Sequence, residues 1–585
     1  MKKFWIVFLV IAVLVGGGFG LLWMSLSQMG QTVAIDGGAL IWHVGGAFPE
    51  ETDDSFVGQL QGGAETTLGE TVIALRRAAK DERITGLVMD MRAVETDWAK
   101  IDEIRRALAV FRESGKPIYA YFDGAGTREY ALACQADKIY MSPEANLMVL
   151  GISAELSFMK DTLDKLGMEA DFIHVGKYKS APERMTRTEA TAANREMIGA
   201  IVDERYEGLL GMLTAGRGVP REQAQAWVDR GMFDAVTALE DGLVDEALYF
   251  DDVLDRHFSD DQTTEFDDYV LDKPKRKESS HTVGLVYATG VIMPGESRWD
   301  RFQGKIAGSE TIVEELLSMA DDDDVDIVIL RVDSPGGSAM ASDLIWEAVG
   351  QVQKNKPLIV SMSGMAASGG YYISCRADSI FADPSTLTGS IGVYAGKMSR
   401  RGLYEKIGVH REFITRGDNA LLFSDEGGFT DAQRKLFQNQ MDHFYKRFLA
   451  KVAEGRGMAP DAVHAVAQGR VWTGQQALQA GLVDDLGGLY RALDSAKWSL
   501  GLIPEDPVNV VSFGEEMSPL QRMLLQSLRQ GGGLARIGHR LGLDADDSLP
   551  LGAVLTSLRQ DGLLAAVDLM DGRPVAMLPY GLKVR

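Results

Sequence analysis

Two glycine-rich segments in the second half of the chain have the residue types that acyl-transfer chemistry needs. In residues 330–338 an apolar stretch runs into Ser-Pro-Gly-Gly-Ser, and in residues 362–371 Ser368 stands among small residues and precedes two glycines. A serine at a sharp strand-to-helix turn can act as a nucleophile, and glycines let backbone N–H groups approach a substrate carbonyl oxygen. From the residues alone, Ser368 fits a helix cap equally well.

A nucleophilic serine needs a general base. The chain has eight histidines, and none lies in a pattern that suggests a catalytic triad. A lysine can take this role if burial lowers its pKa enough to leave the amine neutral. The residue types alone do not select one lysine among the many.

The segments around these motifs alternate between apolar strands and amphipathic helices. Residues 283–287, 326–332 and 358–362 have the pattern of buried strands, and residues 310–319 and 341–352 have helical spacing. Buried strands separated by helices predict parallel βαβ units and therefore an α/β fold. Catalytic groups in such folds lie at the carboxyl ends of the strands and at the helix N-termini beside them.

An internal repeat relates the two halves of the chain. Residues 130–143 match residues 371–384 in Tyr, Cys, Ala, Asp, Ile and Pro, so that residue 130 corresponds to residue 371 and the offset is 241. Residues 238–245 match residues 477–484, with an offset of 239 from the first residue to the first. A match of this kind predicts two copies of one domain.

Four motifs together resemble signal peptide peptidase A in its long, two-repeat form. The motifs are Gly176-Lys-Tyr-Lys-Ser-Ala181, Ser334-Pro-Gly-Gly-Ser338, Met365-Ala-Ala-Ser-Gly-Gly-Tyr371 and Ser385-Thr-Leu-Thr-Gly-Ser-Ile-Gly392. The resemblance covers the N-terminal apolar run and residues 55–495 in the same order. It implies tandem crotonase-like domains related to the Clp protease subunit, and a bowl-shaped homotetramer that cleaves remnant signal peptides in or near the membrane.

The resemblance also implies the roles of five residues. Ser368 corresponds to the nucleophile of a Ser-Lys dyad, and Lys179 corresponds to its general base. Ser390 corresponds to the serine that hydrogen-bonds the lysine. Gly337 and Gly369 correspond to the donors of the oxyanion hole. A serine protease of this kind requires no metal ion and no cofactor.

Each copy of the repeat lacks a part of this set that the other copy has. At the repeat offset Thr127 stands opposite Ser368, and Ala420 stands opposite Lys179. One site assembled from two diverged copies explains this, so we expect the lysine to reach the serine across the two copies. Lys177 is the rival lysine, and we interpret it as a surface or substrate-flanking charge.

The first 30 residues predict a membrane anchor. Lys2 and Lys3 precede an uncharged, mostly apolar run that is long enough to cross a hydrocarbon core of about 30 Å. A cleaved signal peptide is the alternative, but the run is longer than the usual apolar region of roughly 7–15 residues. The two lysines should remain cytoplasmic, which puts the catalytic part on the periplasmic or extracytoplasmic side of a bacterial inner membrane.

We expect the chain to divide into five parts. They are a transmembrane segment at 1–30, the first repeat at 31–255, a linker at 256–281, the second repeat at 282–500, and a C-terminal extension for packing or oligomerisation at 501–585.

The composition limits the possible partners. A net charge of −24 argues against nucleic-acid binding, and Cys134 and Cys375 alone form neither a disulfide framework nor a zinc site.

Two rival functions are an acyl-CoA enzyme on the same scaffold and a non-catalytic membrane scaffold that only holds peptides. The first predicts an acidic side chain beside the Gly-Gly turn, where Ser338 and Ala339 stand. The complete serine and lysine set argues against the second.

Overall fold

The computed structural model describes residues 35, 37–52, 66–258, 263–272, 279–300 and 304–512, together with the backbone of residues 575–577 and 583–584. The predicted membrane anchor at residues 1–30 lies outside these ranges. Within them, we find no helix whose length and hydropathy would let it span a bilayer.

The described part of the chain alternates between strands and helices, as the sequence predicts. The strands are β1 (Gly38–Gly46), β2 (Ile84–Val94), β3 (Ile118–Phe122), β4 (Lys138–Met141), β5 (Asn146–Met148), β6 (Ala154–Glu155), β7 (Glu169–Val175), β8 (Met232–Asp234), β9 (Glu246–Ala247), β10 (Thr263–Glu265), β11 (Thr282–Thr289), β12 (Val291–Met293), β13 (Arg298–Asp300), β14 (Gly304–Gly308), β15 (Ile327–Ser334), β16 (Gly336–Ser338), β17 (Leu358–Ala367), β18 (Ser379–Ala382), β19 (Leu387–Gly389), β20 (Val393–Ser399), β21 (Val471–Thr473), β22 (Asp485–Leu486), β23 (Asn509–Ser512), β24 (Val575–Met577) and β25 (Lys583–Val584). The helices are α1 (Leu68–Lys80), α2 (Trp98–Glu113), α3 (Thr127–Ala133), α4 (Lys160–Leu166), α5 (Glu183–Thr186), α6 (Ala192–Arg217), α7 (Arg221–Arg230), α8 (Ala235–Glu240), α9 (Phe250–His257), α10 (Phe266–Leu271), α11 (Ser309–Asp321), α12 (Ala339–Val352), α13 (Gly369–Ser374), α14 (Arg401–Lys406), α15 (Asp431–Arg456), α16 (Pro460–Val466), α17 (Gly474–Gln479) and α18 (Leu489–Ser499).

Each copy of the repeat is built on a parallel sheet. In the first copy the strand order is β10-β1-β2-β3-β4-β9, and all neighbours are parallel. In the second copy β11, β15, β17 and β18 take the places of β1 to β4, with the same parallel pairing. The central strands are apolar on both faces because helices cover them. The prediction of tandem α/β domains with parallel βαβ units is therefore confirmed.

A third sheet joins the two copies. Its order is β13-β14-β12-β16-β24-β20-β7, so β7 of the first copy is its edge strand. β7 pairs antiparallel with β20 of the second copy over seven residue pairs, from Val175 opposite Val393 to Glu169 opposite Ser399. The first copy thus sends one strand into the sheet of the second.

Part of the segment predicted as a linker, 256–281, has regular structure. β10 pairs with β1, and Phe266 and Tyr269 of α10 are buried in the hydrophobic core of the first copy. The apolar residues at 266 and 269–271 give this stretch a face that packs on the core. Its many charged residues made this face hard to recognise in the sequence.

The C-terminal part also contributes strands. β23 pairs with β11, β24 pairs with β16, and β25 pairs with β6.

A buried ionic network also links the copies. Arg331 on β15 is fully buried, and its guanidinium donates to Glu50 (Nε to Oε2, 2.8 Å) and to Glu103 (Nη2 to Oε2, 2.8 Å) of the first copy. Burial opposes ionisation of Glu50, but the charges of Arg331 and Lys100 outweigh it and lower the pKa of Glu50 to about 2. The charges compensate one another only while the two copies stay packed.

We expect Arg331→Met to destabilise the protein by about 3–5 kcal/mol, because it removes the guanidinium that pairs with both buried carboxylates and leaves Glu50 only the more distant Lys100 (4.0 Å). Arg221→Met is the control, since Arg221 pairs with Glu207 at the exposed surface, where an ion pair contributes little to stability. The thermal unfolding midpoint should fall far more for the first variant than for the second. An equal fall in the unfolding midpoint of both variants would show that the Arg331 network contributes no more to stability than the surface ion pair.

Candidate active site

Ser368 lies at a sharp turn between a strand and a helix. β17 ends at Ala367, and α13 begins at Gly369. The backbone of Ser368 has φ 55° and ψ −109°, a conformation that is uncommon for residues other than glycine. Its N–H donates to the carbonyl oxygen of Gly389 (2.8 Å), which holds the turn in place. Strained backbone of this kind concentrates at functional sites.

Lys179, Ser368 and Ser390 form one hydrogen-bonded group. The Lys179 Nζ lies within hydrogen-bond distance of Ser368 Oγ (2.7 Å), Ser390 Oγ (2.9 Å) and the Ser390 carbonyl oxygen (3.0 Å). Lys179 is 1% exposed and both serines are 0% exposed. The structure thus brings together three residues that the sequence singled out, with the lysine from one copy and the serines from the other.

Burial controls the charge of this lysine. Desolvation lowers the pKa of the Lys179 amine well below its usual range, and no charged side chain among the described residues offsets that effect. A neutral amine has a lone pair that can accept a proton from a neighbouring hydroxyl. The site therefore has an amine and a hydroxyl in direct contact, and burial favours the uncharged form of the amine.

The loop after β7 carries the lysine to this position. Gly176 turns the chain with φ +115°, and the Tyr178 N–H donates to the Gln468 carbonyl oxygen (2.8 Å). Gly469 has φ +79° and lies against Lys179, so that a Cβ on Gly469 would come within 2.6 Å of the Lys179 Cβ. The sequence motifs did not single out Gly469, since only its close approach in three dimensions reveals its part in the site.

Gly337 and Gly369 lie side by side next to Ser368. A Cβ on Gly369 would come within 3.0 Å of the Gly337 backbone nitrogen, and a Cβ on Gly337 would overlap the Ile292 carbonyl oxygen. Gly369 is the first residue of α13, so its N–H has no partner within the helix. Only glycine fits at both positions, because a side chain at either would overlap neighbouring atoms.

The strand β24 borders this pair of glycines. It pairs antiparallel with β16, with the backbone of Ala576 opposite Gly337, and it also contacts β20 at Tyr394. The chain's own C-terminal part thus runs along the edge of the strand that contains Gly337. The sequence contains no signal for this pairing.

Lys177 lies outside the site. Its side chain is 57% exposed, its Nζ donates to the Tyr178 hydroxyl (3.0 Å), and it forms an ion pair with Glu196 (3.6 Å). Lys177 and Lys179 therefore have different surroundings although only two residues separate them. The structure agrees with the interpretation of Lys177 as a surface charge.

Comparisons with known proteins match both copies. The model of "Peptidase family S49" matches residues 110–262 and 350–502, and the "Clp protease" model matches residues 302–384, which confirms the predicted Clp-like tandem fold. The chain is 34% identical over 460 residues to "Serine protease SPPA, chloroplastic" of Arabidopsis thaliana, covering 77% of this chain and 68% of the relative. It is 32% identical over 554 residues to "Protease 4" of Salmonella typhi, covering 88% of each. It is 37% identical over 221 residues to "Putative signal peptide peptidase SppA" of Enterococcus faecium, covering 37% of this chain and 64% of the relative.

The burial of Lys179 predicts a pH-dependent stability effect. Between its lowered pKa in the folded state and its usual pKa, the unfolded chain binds a proton that the folded chain lacks, so wild-type stability falls as the pH falls. We therefore expect Lys179→Met to gain about 1.4 kcal/mol over the wild type for each pH unit lowered within that window. Denaturant unfolding at about pH 7, 8 and 9 measures the difference between the two proteins.

Lys177→Met is the matched control for this measurement, because Lys177 is exposed and close by in sequence. Its stability difference from the wild type should change little over the same pH range. A pH-independent difference for Lys179→Met would show that the buried lysine is not deprotonated on folding.

Proposed function

Because the chain belongs to peptidase family S49 and is a serine protease, we propose that Ser368 is its nucleophile and Lys179 its general base. The observation that carries the proposal is the 2.7 Å contact between Lys179 Nζ and Ser368 Oγ in a buried site. The family match also confirms the resemblance to signal peptide peptidase A that the motifs predict.

The proposed reaction is acyl transfer to Ser368. Neutral Lys179 accepts the hydroxyl proton as Oγ bonds to the substrate carbonyl carbon, and the carbonyl π electrons move to the oxygen. The N–H groups of Gly337 and Gly369 stabilise this oxyanion. The lysine ammonium then gives its proton to the leaving amine as the C–N bond breaks, and water hydrolyses the acyl-enzyme with Lys179 again as the base.

Ser390 is a positioning residue in this proposal. It offers Lys179 two acceptor oxygens, the hydroxyl at 2.9 Å and the carbonyl at 3.0 Å. These contacts hold the Nζ within reach of Ser368. They also solvate the ammonium that forms transiently, which has no acidic partner among the described side chains, and so limit the energetic penalty of a buried charge.

We propose that the substrates are peptides, in particular remnant signal peptides in or near the cytoplasmic membrane. The name of the Enterococcus faecium relative and the apolar run of residues 4–24 support this proposal. An extended peptide that reaches Ser368 along β16 must displace residues 575–577 from the edge of that strand. The proposed enzyme is a homotetramer of single-pass chains in a bacterial inner membrane, with the catalytic domains on the periplasmic side.

An acyl-CoA enzyme on the same scaffold would use an acidic side chain near the Gly-Gly turn. Asp333 is the acidic residue nearest to that turn in the sequence. Its Oδ2 lies 3.2 Å from Lys100 Nζ, and its Oδ1 accepts from the Met365 N–H at 3.1 Å. These partners engage Asp333 in the contact between the copies, which favours the protease over the acyl-CoA enzyme.

We expect Ser368→Ala and Lys179→Ala each to lower kcat for a small peptide substrate by at least about 1000-fold, because each removes one half of the dyad. A serine-reactive peptidyl phosphonate should label the wild type at Ser368. Lys177→Ala and Ser153→Ala are the controls and should retain wild-type activity, because Lys177 lies outside the site and Ser153 is an exposed serine of the first copy. Substantial hydrolysis by the Ser368→Ala variant would refute the dyad assignment.

Gly469 allows a second test, which concerns the position of the lysine. A Cβ at residue 469 would push Lys179 away from Ser368, and a displacement of about 1 Å at a catalytic group lowers kcat on the order of 100-fold. We expect Gly469→Ala to show this loss with little change in KM. Gly481→Ala is matched in backbone (φ +72°) but faces open space, with its nearest neighbour at 4.0 Å, and should keep its kcat. Equal kcat values for the two variants would contradict the role of Gly469.

A further inference from the structure

The first copy has a large cavity where the second copy has the proposed dyad. The cavity has a volume of about 1020 Å³, and Thr127 and Leu150 contribute to its wall. At the repeat offset of 241 these residues coincide with Ser368 and with Ile391, the neighbour of Ser390. Ligand pockets in proteins have volumes of roughly 300–1000 Å³. The first copy therefore has a space of ligand-binding size although it lacks the catalytic serine.

Two arginines in the wall of this first-copy cavity have uncharged counterparts in the second copy. Arg128 stands where the second copy has Gly369, at the offset of 241. The helices α6 and α15 coincide at the offset of 239, so Arg205 stands where the second copy has the buried Phe444. The first copy thus has two cations in place of a glycine of the proposed oxyanion hole and an apolar ring.

Neither arginine forms an ion pair within the described chain. Arg205 is 9% exposed, and its Nη2 donates to the Ser385 carbonyl oxygen, whereas its Nε and Nη1 have no partner among the described residues. The Nε of Arg128 is likewise buried without a partner there. Desolvation lowers the pKa of Arg205, and the nearby charge of Arg128 adds to this effect. A buried cation without a paired anion is costly, so the cavity favours an anionic ligand.

Two further donors in the wall lack acceptors. The Thr96 hydroxyl and the Trp98 indole Nε1 are buried and have no hydrogen-bond partner in the described part of the chain. Buried donors in folded proteins nearly always have a partner. The side chains of Thr96, Trp98, Arg128 and Arg205 can all donate, so a ligand that brings acceptor oxygens suits this wall.

The acidic residues of the wall do not fill this need, because most of them already have partners. Glu129 accepts from two backbone N–H groups, at 2.7 and 3.0 Å. Asp333 pairs with the Lys100 Nζ at 3.2 Å, and Asp97 accepts from the Lys100 N–H at 3.0 Å. Glu95 is exposed. Together these carboxylates repel a dianionic phosphate more strongly than a singly charged carboxylate, which favours a carboxylate as the ligand.

The cavity borders the strand that leads to the nucleophile. Met365 of β17 and Leu387 of β19 form part of its wall. Met365 precedes Ser368 by three residues, which is about 10 Å along a strand. Both side chains pack in one apolar cluster with Ala367, the neighbour of Ser368. The first-copy cavity therefore lies close to the proposed active site but is separate from it.

We propose that the first-copy cavity binds the free C-terminal carboxylate of a peptide, with Arg128 and Arg205 as the positive charges. The ligand is a peptide because the corresponding space in the second copy is the proposed site of peptide hydrolysis, so the inference rests on that proposed function. Hydrolysis of a peptide bond leaves one fragment that ends in a carboxylate. The cavity thus holds peptides that have already been cut in preference to uncut segments of a longer chain.

The two arginines contribute in different ways. Arg128 is half-buried at the wall, so its guanidinium can pair with a carboxylate in the planar, bidentate manner. Arg205 is held by the Ser385 carbonyl oxygen and adds a buried charge that the described chain leaves without an ion pair.

Peptide binding to the Ser368→Ala variant tests the proposal without cleavage. The probes are a fluorescein-labelled apolar hexapeptide with a free C-terminal carboxylate and the same peptide as its C-terminal amide. In fluorescence anisotropy the acid should bind about 10-fold more tightly than the amide, because it adds a charge-assisted pair with Arg128. The net charge of −24 would by itself produce the opposite order. Equal affinities, or tighter binding of the amide, would overturn the proposal.

A third peptide separates the two sources of a carboxylate. It is the amide with glutamate as its last residue, and it should bind as the plain amide does. Binding as tight as that of the acid would overturn the assignment to a peptide C-terminus.

Substitution of Arg128 locates the effect in the cavity. Combined with Ser368→Ala, Arg128→Gln should bind acid and amide equally. Arg195→Gln is the matched control, because Arg195 is on the same helix as Arg205 but pairs with Glu189 (3.0 Å) at the surface, and it should keep the preference. A preference for the acid that survives Arg128→Gln would overturn the proposed site.

Hydrolysis of the same peptides by the wild type is measured in parallel, so that the two proposals fail separately. Cleavage that depends on Ser368, together with equal binding of acid and amide, would overturn the carboxylate site and leave the proposed function intact. Cleavage by the Ser368→Ala variant would refute the dyad, whereas the acid preference and its loss in Arg128→Gln would still decide on the cavity.

Discussion

The antiparallel pairing of β7 with β20 is the contact on which the site depends. Seven residue pairs fix its register, and the loop that follows β7 carries Lys179 to Ser390 and Ser368. A slip of one residue would turn every side chain of β7 to the opposite face of the sheet and move the lysine with it. The proposed chemistry is therefore a property of the contact between the copies and not of either copy alone.

The same contact supplies the low dielectric that makes a lysine useful as a base. An exposed lysine would be protonated at neutral pH, and the burial of Lys179 lowers its pKa well below its usual range. The site thereby combines two unfavourable features, a desolvated amine and left-handed backbone at Ser368 and Ser390. The buried pairing of Arg331 with Glu50 and Glu103 ties β15 to the first copy, and so helps to hold the two halves together against these penalties.

The sequence predicts those features that depend on local pattern. Apolar runs between helices predicted the parallel sheets, and the small residues around position 368 predicted a turn after a strand. Lys179 was selected only by resemblance, because its burial arises from residues of the second copy that are nearly 200 positions away. For the same reason the local pattern contained no signal for Gly469, the crossing of β7, or the pairing of β24 with β16. The many charged side chains of residues 263–271 made a short strand and helix hard to recognise in the sequence. Only the packing of these elements against the core of the first copy identifies them.

The divergence of the two copies has a structural consequence at Thr127. This residue stands where the second copy has Ser368, but its hydroxyl donates to the Leu150 carbonyl oxygen (3.0 Å) and accepts from the Leu150 N–H (2.8 Å). The hydroxyl is thus engaged by the backbone and has no basic partner, since the counterpart of Lys179 is Ala420. Residue 420 is exposed in the described chain, so a lysine at this position would not be desolvated as Lys179 is. The first copy lacks the serine and the second copy lacks the lysine, so the two copies together supply a single proposed site in each chain.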